Sequence, residues 1–453
     1  MKVRFAPRKF VAILCLLAFA YFTQLADAQQ SQQSTPQSDH AVREAWRRSM
    51  KKTPLPKHGC FTVKYPSTQW QEQPCTKAPN IPYVPQAGSI PQSVGAHYDF
   101  VAEATAGLLS EAEGSFPASN GVISESGYRN NYPPDNPNTF TLQLNSEYFY
   151  NAPPCADAAI PSQCQGWEQF LFQESDGGNA KVYIQNWLLN YATLCPAGWE
   201  PYLANCYLNS PAVSVPSQQA VNVPSMTLTG EAANATETVI FSAPGDTLSA
   251  VSQNTVLSLE QHWTAAEFNV FGDGGGSEAN FNSGSTLFVQ TSVTNGTTNA
   301  PVCLGPQGAG TTGESNNLNL IPQSAPVCCP YGGTYPSILF MESNVTNAPT
   351  AACGALPYSA NGSMTTITHP IILGEIRVLY SATLEDSTPG ASITYQLFDS
   401  CGNSVESSTV SAGTMISYLD TEINGESCTY GIRGTMYATA PGYVPTAKTA
   451  IAF

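Results

Sequence analysis

Positive charge is the scarcest feature of this 453-residue chain. It has 17 Lys and Arg against 33 Asp and Glu, a formal net charge of −16. The few bases are also segregated. Residues 29–80 hold eight of them against three acids, whereas from residue 81 onward Arg129, Lys181, Arg377, Arg433 and Lys448 stand against 29 acids. So acidic a body repels a phosphate backbone, which argues against nucleic acid as a partner. Its self-repulsion eases at low pH, where carboxylates protonate. That suits an acidic habitat or an acid-active enzyme.

Other absences narrow the chemistry. The histidines are His40, His58, His97, His262 and His369, with no HExxH or H-x-H spacing, so a zinc hydrolase is not expected. No G-x-S-x-G occurs, so the usual hydrolase elbow is missing. No P-loop or dinucleotide fingerprint is present, and no cofactor is expected. There is no CxxC pair, so no metal is expected either. Asp273 in GDGGGS (272–277) is a lone acid among glycines, too few oxygens for calcium. That stretch reads as a hairpin loop. After the N-terminal leader no run of about 18 apolar residues occurs, so no membrane span is expected.

The leader itself is clear. Lys2, Arg4, Arg8 and Lys9 precede an apolar run from Phe10 to Phe22, and Ala26-Asp27-Ala28 fits the small-x-small rule. Residues 1–28 read as a secretory signal peptide, and the protein is expected to be extracellular or held at the cell surface. Leu14 before Cys15 argues against a lipid anchor. The remaining roughly 425 residues suit two or three domains, and a monomer is expected.

Of 13 cysteines, twelve lie beyond the leader, an even number in an exported chain. Disulfides are the default. Near neighbours give Cys60–Cys75, Cys155–Cys164, Cys195–Cys206 and Cys401–Cys428. Cys303, Cys328, Cys329 and Cys353 form two more in an order the sequence leaves open.

Low charge, many Gly and Pro, and frequent Tyr and Phe point to short strands joined by turns. The chain reads as all-β: a jelly-roll or concanavalin-like antiparallel β-sandwich over 93–368, followed by a small Ig-like β-sandwich over 369–453. Residues 29–92 read as a low-complexity, basic, Pro-rich arm or pro-segment, with a basic helix over 41–52. As a pro-segment, its Arg47, Arg48, Lys51 and Lys52 would pair with body carboxylates and cover an acidic cleft at neutral pH. Strands are expected at 138–150, 167–175, 180–191, 225–232, 236–243, 254–263, 266–271, 285–293 and 337–343. Residues 100–113 read equally as a helix or a strand pair.

One strand raises a question. In Ala-Glu-Phe-Asn-Val-Phe (266–271), the two-residue period puts Ala266, Phe268 and Val270 on one face and Glu267, Asn269 and Phe271 on the other. In FLFQES, Gln173 shares a face with Trp167, Gln169 and Leu171. In the next strand Tyr183, Gln185 and Trp187 share a face. If these strands are neighbours, Glu267, Gln173 and Trp187 line one concave sheet face with aromatic walls, as a binding cleft does. The alternative is a solvated sheet face.

These pieces resemble the glutamic peptidases, the eqolisins. In that family a Gln ends an A-I-L-Q-T-G strand, a Y-E-W-Y-like strand follows, a Gly-Asp turn opens the next, and the Glu sits in N-A-E-F. Here FLFQES, IQNWLL, Gly245-Asp246 and Ala266-Glu267-Phe268 stand in the same order, over roughly residues 138–295. The resemblance implies an acid-active endopeptidase with Glu267 as general base and acid and Gln173 as oxyanion donor. It places Trp187 at a cleft wall. Tyr183, Gln185 and Asn269, on the same face, are further candidates to bind a polypeptide substrate. A rival reading is a non-catalytic carbohydrate- or surface-binding sandwich, whose exposed Trp and Tyr would stack on surface glycans. Separately, TPGASITYQLFDS and YATAPGYVPTAKTAIAF resemble the small β-sandwich appended to chitobiases and bacterial surface enzymes, an accessory module.

Overall fold

The computed structural model describes residues 43, 46–85, 94–174, 180–333, 335–345, 353, 359–367, 375–385, 392–399, 401–411, 413–423, 432–439 and 449–451. The leader, residues 29–38 and Cys428 lie outside them. The chain divides into two compact units, Met1–Trp46 and Arg47–Phe453. No helix among the described residues is long and apolar enough to cross a membrane.

The protein is all-β. Two large antiparallel sheets make the central body. The front sheet has eleven strands, with Asn205–Asn209, Ala180–Leu189, Gln165–Gln173, Phe140–Ser146, Ala265–Gly272 and Val101–Glu103 side by side in that order. The back sheet has ten, with Gly59–Lys64, Thr247–Asn254, Thr236–Ala243, Thr227–Ala233, Glu111–Asn120, Thr286–Thr294 and Ser337–Ser343 in sequence across it. The alternation of large apolar residues dictates how they meet. Phe172 of the front sheet stacks on Phe241 of the back at 4.2 Å, and Phe268 meets Phe116 at 5.2 Å. Two back-sheet glycines make the approach possible. A Cβ at Gly114 would lie 1.9 Å from the Phe268 ring, and one at Gly230 would lie 2.4 Å from Phe170.

Eight of the nine expected strands are present within a few residues of their expected limits. The exception is 254–263. There Ser258 takes φ +58° and Leu259–Gln261 form a 3-10 turn. Its apolar residues Leu257, Leu259 and Trp263 are buried all the same, so the alternation reported burial and not strand. Residues 100–113 resolve as strands, Val101–Glu103 and the start of Glu111–Asn120. GDGGGS is not a hairpin loop. The strand after it, Glu278–Phe281, pairs with Glu125–Arg129 and Ser315–Asn316, not with Ala265–Gly272.

The arm is more integrated than its composition implies. Residues 47–51 are helical. Gly59–Lys64 pairs along its whole length with Thr247–Asn254. Arg47 and Lys51 do pair with body carboxylates, Asp246 in the turn between Thr236–Ala243 and Thr247–Asn254, and Glu113 on the back sheet. Five disulfides are described: Cys60–Cys75, Cys155–Cys164, Cys195–Cys206, Cys303–Cys328 and Cys329–Cys353. Cys401 is also disulfide-bonded.

The C-terminal module has a three-stranded and a four-stranded sheet. Tyr380, Leu384, Ile393, Leu397, Ile416 and Met436 share its core. Ser359–Ile367 pairs with Glu375–Glu385 in the three-stranded sheet.

Candidate active site

All six candidate residues lie on the front sheet, and their side chains share the face turned away from the back sheet. Register aligns them in rows. Gln185, Gln169, Asn145 and Glu267 form one row across four strands. Leu171, Gln143 and Asn269 form the next. Gln173, Thr141 and Phe271 form the third. Gln173 therefore stands four residues along from the Glu267 row, about 13 Å at ~3.3 Å per residue. The amide that shares a row with Glu267 on the same strand is Gln169.

The row is wired internally and to its neighbouring rows. Trp187 Nε1 donates to Gln169 Oε1 at 3.1 Å, and Gln169 Nε2 donates to Gln143 Oε1 at 3.2 Å. Asn145 Nδ2 reaches Glu267 Oε2 at 3.1 Å. The same oxygen accepts the Thr311 N–H at 2.9 Å and the Thr311 hydroxyl at 2.6 Å. Glu267 Oε1 is buried and has no partner. Burial raises the Glu267 pKa, while the donors from Thr311, Asn145 and the Thr312 backbone oppose the rise.

The remaining candidates serve two neighbouring clusters. Asn269 Nδ2 donates to Asp99 Oδ2 at 3.2 Å and to Glu342 Oε2 at 3.0 Å. Gln173 Nε2 donates to Asp273 Oδ1 at 2.7 Å, which also accepts the Tyr83 hydroxyl at 2.7 Å. The Tyr183 hydroxyl lies 3.5 Å from Gln173 Oε1. Desolvation raises Asp273 to about 6, against the pull of Tyr83, Gln173 and Arg129.

Two segments cover this face. Residues 79–84 cross it as a strap. Gln185 holds the strap backbone at two points, accepting the Tyr83 N–H at 2.8 Å and donating to the Ile81 carbonyl at 2.9 Å. Asn209 Nδ2 donates to the Pro79 carbonyl at 2.8 Å. The second cover is the glycine-rich loop 305–313, which Thr311 ties to Glu267. Gly310 is the close contact, since a Cβ there would lie 2.8 Å from Glu267 Oε1. Gly310→Ala should therefore cost about 1–3 kcal/mol, read as a lower urea midpoint. An unchanged midpoint would mean that the loop yields freely.

The aromatic candidates are enclosed. Trp187 and Tyr183 are buried, and Trp187 packs with Trp167 and Tyr207. A groove of about 480 Å³ lies elsewhere, on the back sheet, lined by Lys51, Lys57, His58 and Glu231 among others. Two of its lysines are already engaged, Lys51 by Glu113 and Lys57 by Glu72. Among the described residues no group of three or more His, Cys, Asp or Glu is placed to hold a metal ion.

Sequence reasoning missed Asp99, Thr311 and Glu342. It had a usable signal for Gln143 and Asn145, which alternate with Leu142 and Leu144 in TLQLNS. Compared with known proteins, the chain matches no protein-family model and no curated protein. What fold and site define is an all-β sandwich carrying a buried carboxylate at the end of an amide ladder.

Proposed function

We propose that the chain is a secreted, acid-active peptide hydrolase of the glutamic type, centred on Glu267. The observation that carries the reading is the division of labour within that carboxylate. Oε2 is fixed by three donors from Thr311 and Asn145, while Oε1 is left without a partner in a site lined by side-chain amides. A fixed carboxylate with one free oxygen is suited to proton transfer.

In the reaction, Glu267 takes a proton from water as the water oxygen bonds to the peptide carbonyl carbon. The carbonyl π pair moves onto its oxygen, and an amide N–H stabilises the charge. Glu267 then passes its proton to the nitrogen as the C–N bond breaks. A carboxylic acid and an amine leave. The resemblance to glutamic peptidases assigns the amide to Gln173. Row position favours Gln169 or Asn145, since Gln173 is spent on Asp273. Substrate reaches Glu267 only when the 305–313 loop, held there by Thr311, lifts from that carboxylate. The disulfides among the described residues are compatible with export. Sugar stacking on this face lacks support, because Trp167 and Trp187 are fully buried.

The test compares the protein with its Glu267→Gln variant on a denatured protein substrate from pH 2 to 7, counting new peptide termini. Cleavage at acidic pH should fall by at least about 10³-fold in the variant. Equal cleavage by both, or none by either, would end this reading.

A further inference from the structure

Glu267 has an acidic neighbour under the same loop. Asp99 is fully buried, and so is Glu342. A side-chain carbon at Gly310 would meet Glu267 Oε1 at 2.8 Å and Asp99 Cβ at 3.4 Å, so the two acids border one small space. Their hydrogen bonds differ in kind. Glu267 Oε2 gathers three donors of its own. Asp99 receives the Phe100 N–H at 2.7 Å and the Asn269 side-chain amide at 3.2 Å, whose nitrogen also donates to Glu342 at 3.0 Å. Among the described residues no Lys or Arg pairs with Asp99, Glu267 or Glu342.

We propose that Asp99 is the second acid of this site, keeping the proton whose absence from Glu267 lets Glu267 act as a base. Two carboxyls bordering one buried space cannot both ionise cheaply, so they titrate as a pair in two steps. The first proton leaves Glu267, because its three donors favour the charged form. The second stays on Asp99 to higher pH. Burial holds it there, with the Glu267 and Glu342 carboxyls adding to the effect in that order. Other titratable groups lie around the loop. The His97 ring Nδ1 lies 2.7 Å from the Gly310 carbonyl. Glu314 accepts the Val84 and Gly276 N–H groups at 3.0 Å each. The Tyr148 hydroxyl donates to the Thr311 carbonyl.

Asp99 touches no reacting atom in this scheme. It acts through Glu267 and is a positioning residue. Its catalytic meaning rests on the acid–base reading of Glu267, whereas the pairing rests on the space the two buried acids share beneath Gly310 and on the charge interaction between them.

The experiment follows carboxyl ¹³C shifts against pH in the full chain labelled at Asp and Glu, as wild type, Glu267→Gln and Asp99→Asn. In Glu267→Gln the Asp99 midpoint should fall by at least about one unit, since the charge that acts on it most strongly is gone. In Asp99→Asn the upper step should vanish, and the Glu267 midpoint should stay within about half a unit, because neutral Asn replaces neutral Asp. An Asp99 midpoint that is the same in wild type and Glu267→Gln would overturn the pairing. If a variant does not fold, the wild type decides. Each resonance should then show both inflections, and two independent single-step curves would sink the proposal. On a peptide substrate, Asp99→Asn should keep the acid limb of the pH–rate profile and lose the alkaline one. An absence of cleavage in every form would overturn the functional reading of Glu267, with the shifts still ruling on the pair.

Discussion

The melting temperature should fall by at least about 8 °C between pH 5 and pH 8, the reverse of an ordinary acid-labile protein. The cause is the unusual number of buried carboxyls. Desolvation pushes Glu125 and Glu342 up to about 8, Glu231 and Glu314 to about 7, and Asp273 to about 6. It also raises Glu168 and Glu237, which meet between the two sheets. Both side-chain polar atoms of Asn186 are buried there without partners.

The sign follows from linkage. Each group is protonated in the fold above the unfolded value of about 4, so its contribution is complete below that value. It is lost as pH rises through the folded values, here about 6 to 8. One net proton held across three pH units amounts to about 4 kcal/mol. At about 2 °C per kcal/mol for a chain this size, the drop is about 8 °C. Repulsion among exposed acids acts in the same direction, but salt screens it. The buried share should survive in 0.5 M NaCl, and Glu168→Gln should flatten the slope. A melting temperature that is flat or rising from pH 5 to 8 by scanning calorimetry would contradict the burial of these groups.

The same burial explains what could be read in the sequence. Glu267 was legible because Ala266, Phe268 and Val270 alternate with it, and a strand with one apolar face leaves the other face conspicuous. The same period gave the faces of 167–175 and 180–191 but left their pairing open. Asp99 was not legible. It follows a turn in which Gly95, Ala96 and His97 all have positive φ, and the Asp99 N–H bonds to the Pro306 carbonyl some two hundred residues away. No local period encodes such a contact. Thr311 and Glu342 reach the site by the same kind of long-range closure. The strap was hidden for a different reason. A Pro-rich segment looks like a loose arm until the side chains that grip its backbone are known. Those side chains, Gln185 and Asn209, sit more than a hundred residues on.

The second large effect tests the sandwich itself. Gly114→Ala should destabilise the protein by at least about 3 kcal/mol, because one methyl group would have to share space with an aromatic ring. The added carbon would lie 1.9 Å from two atoms of the Phe268 ring. Neither side has room to give. Gly114 is clamped between Leu228 and Thr291 in the back sheet, and Phe268 pairs with Leu144 in the front sheet. The ring also packs on Phe116 at 5.2 Å. Shrinking the partner should relieve the clash. Phe268→Leu alone leaves a cavity and costs stability, but with Gly114→Ala it should restore part of the loss. The coupling between the two changes should be about 1 kcal/mol or more by urea unfolding. Strict additivity would mean that Gly114 and Phe268 do not touch. The front sheet would then not sit on the back sheet as described, and Glu267, on the strand that carries Phe268, would lose the scaffold that fixes its face.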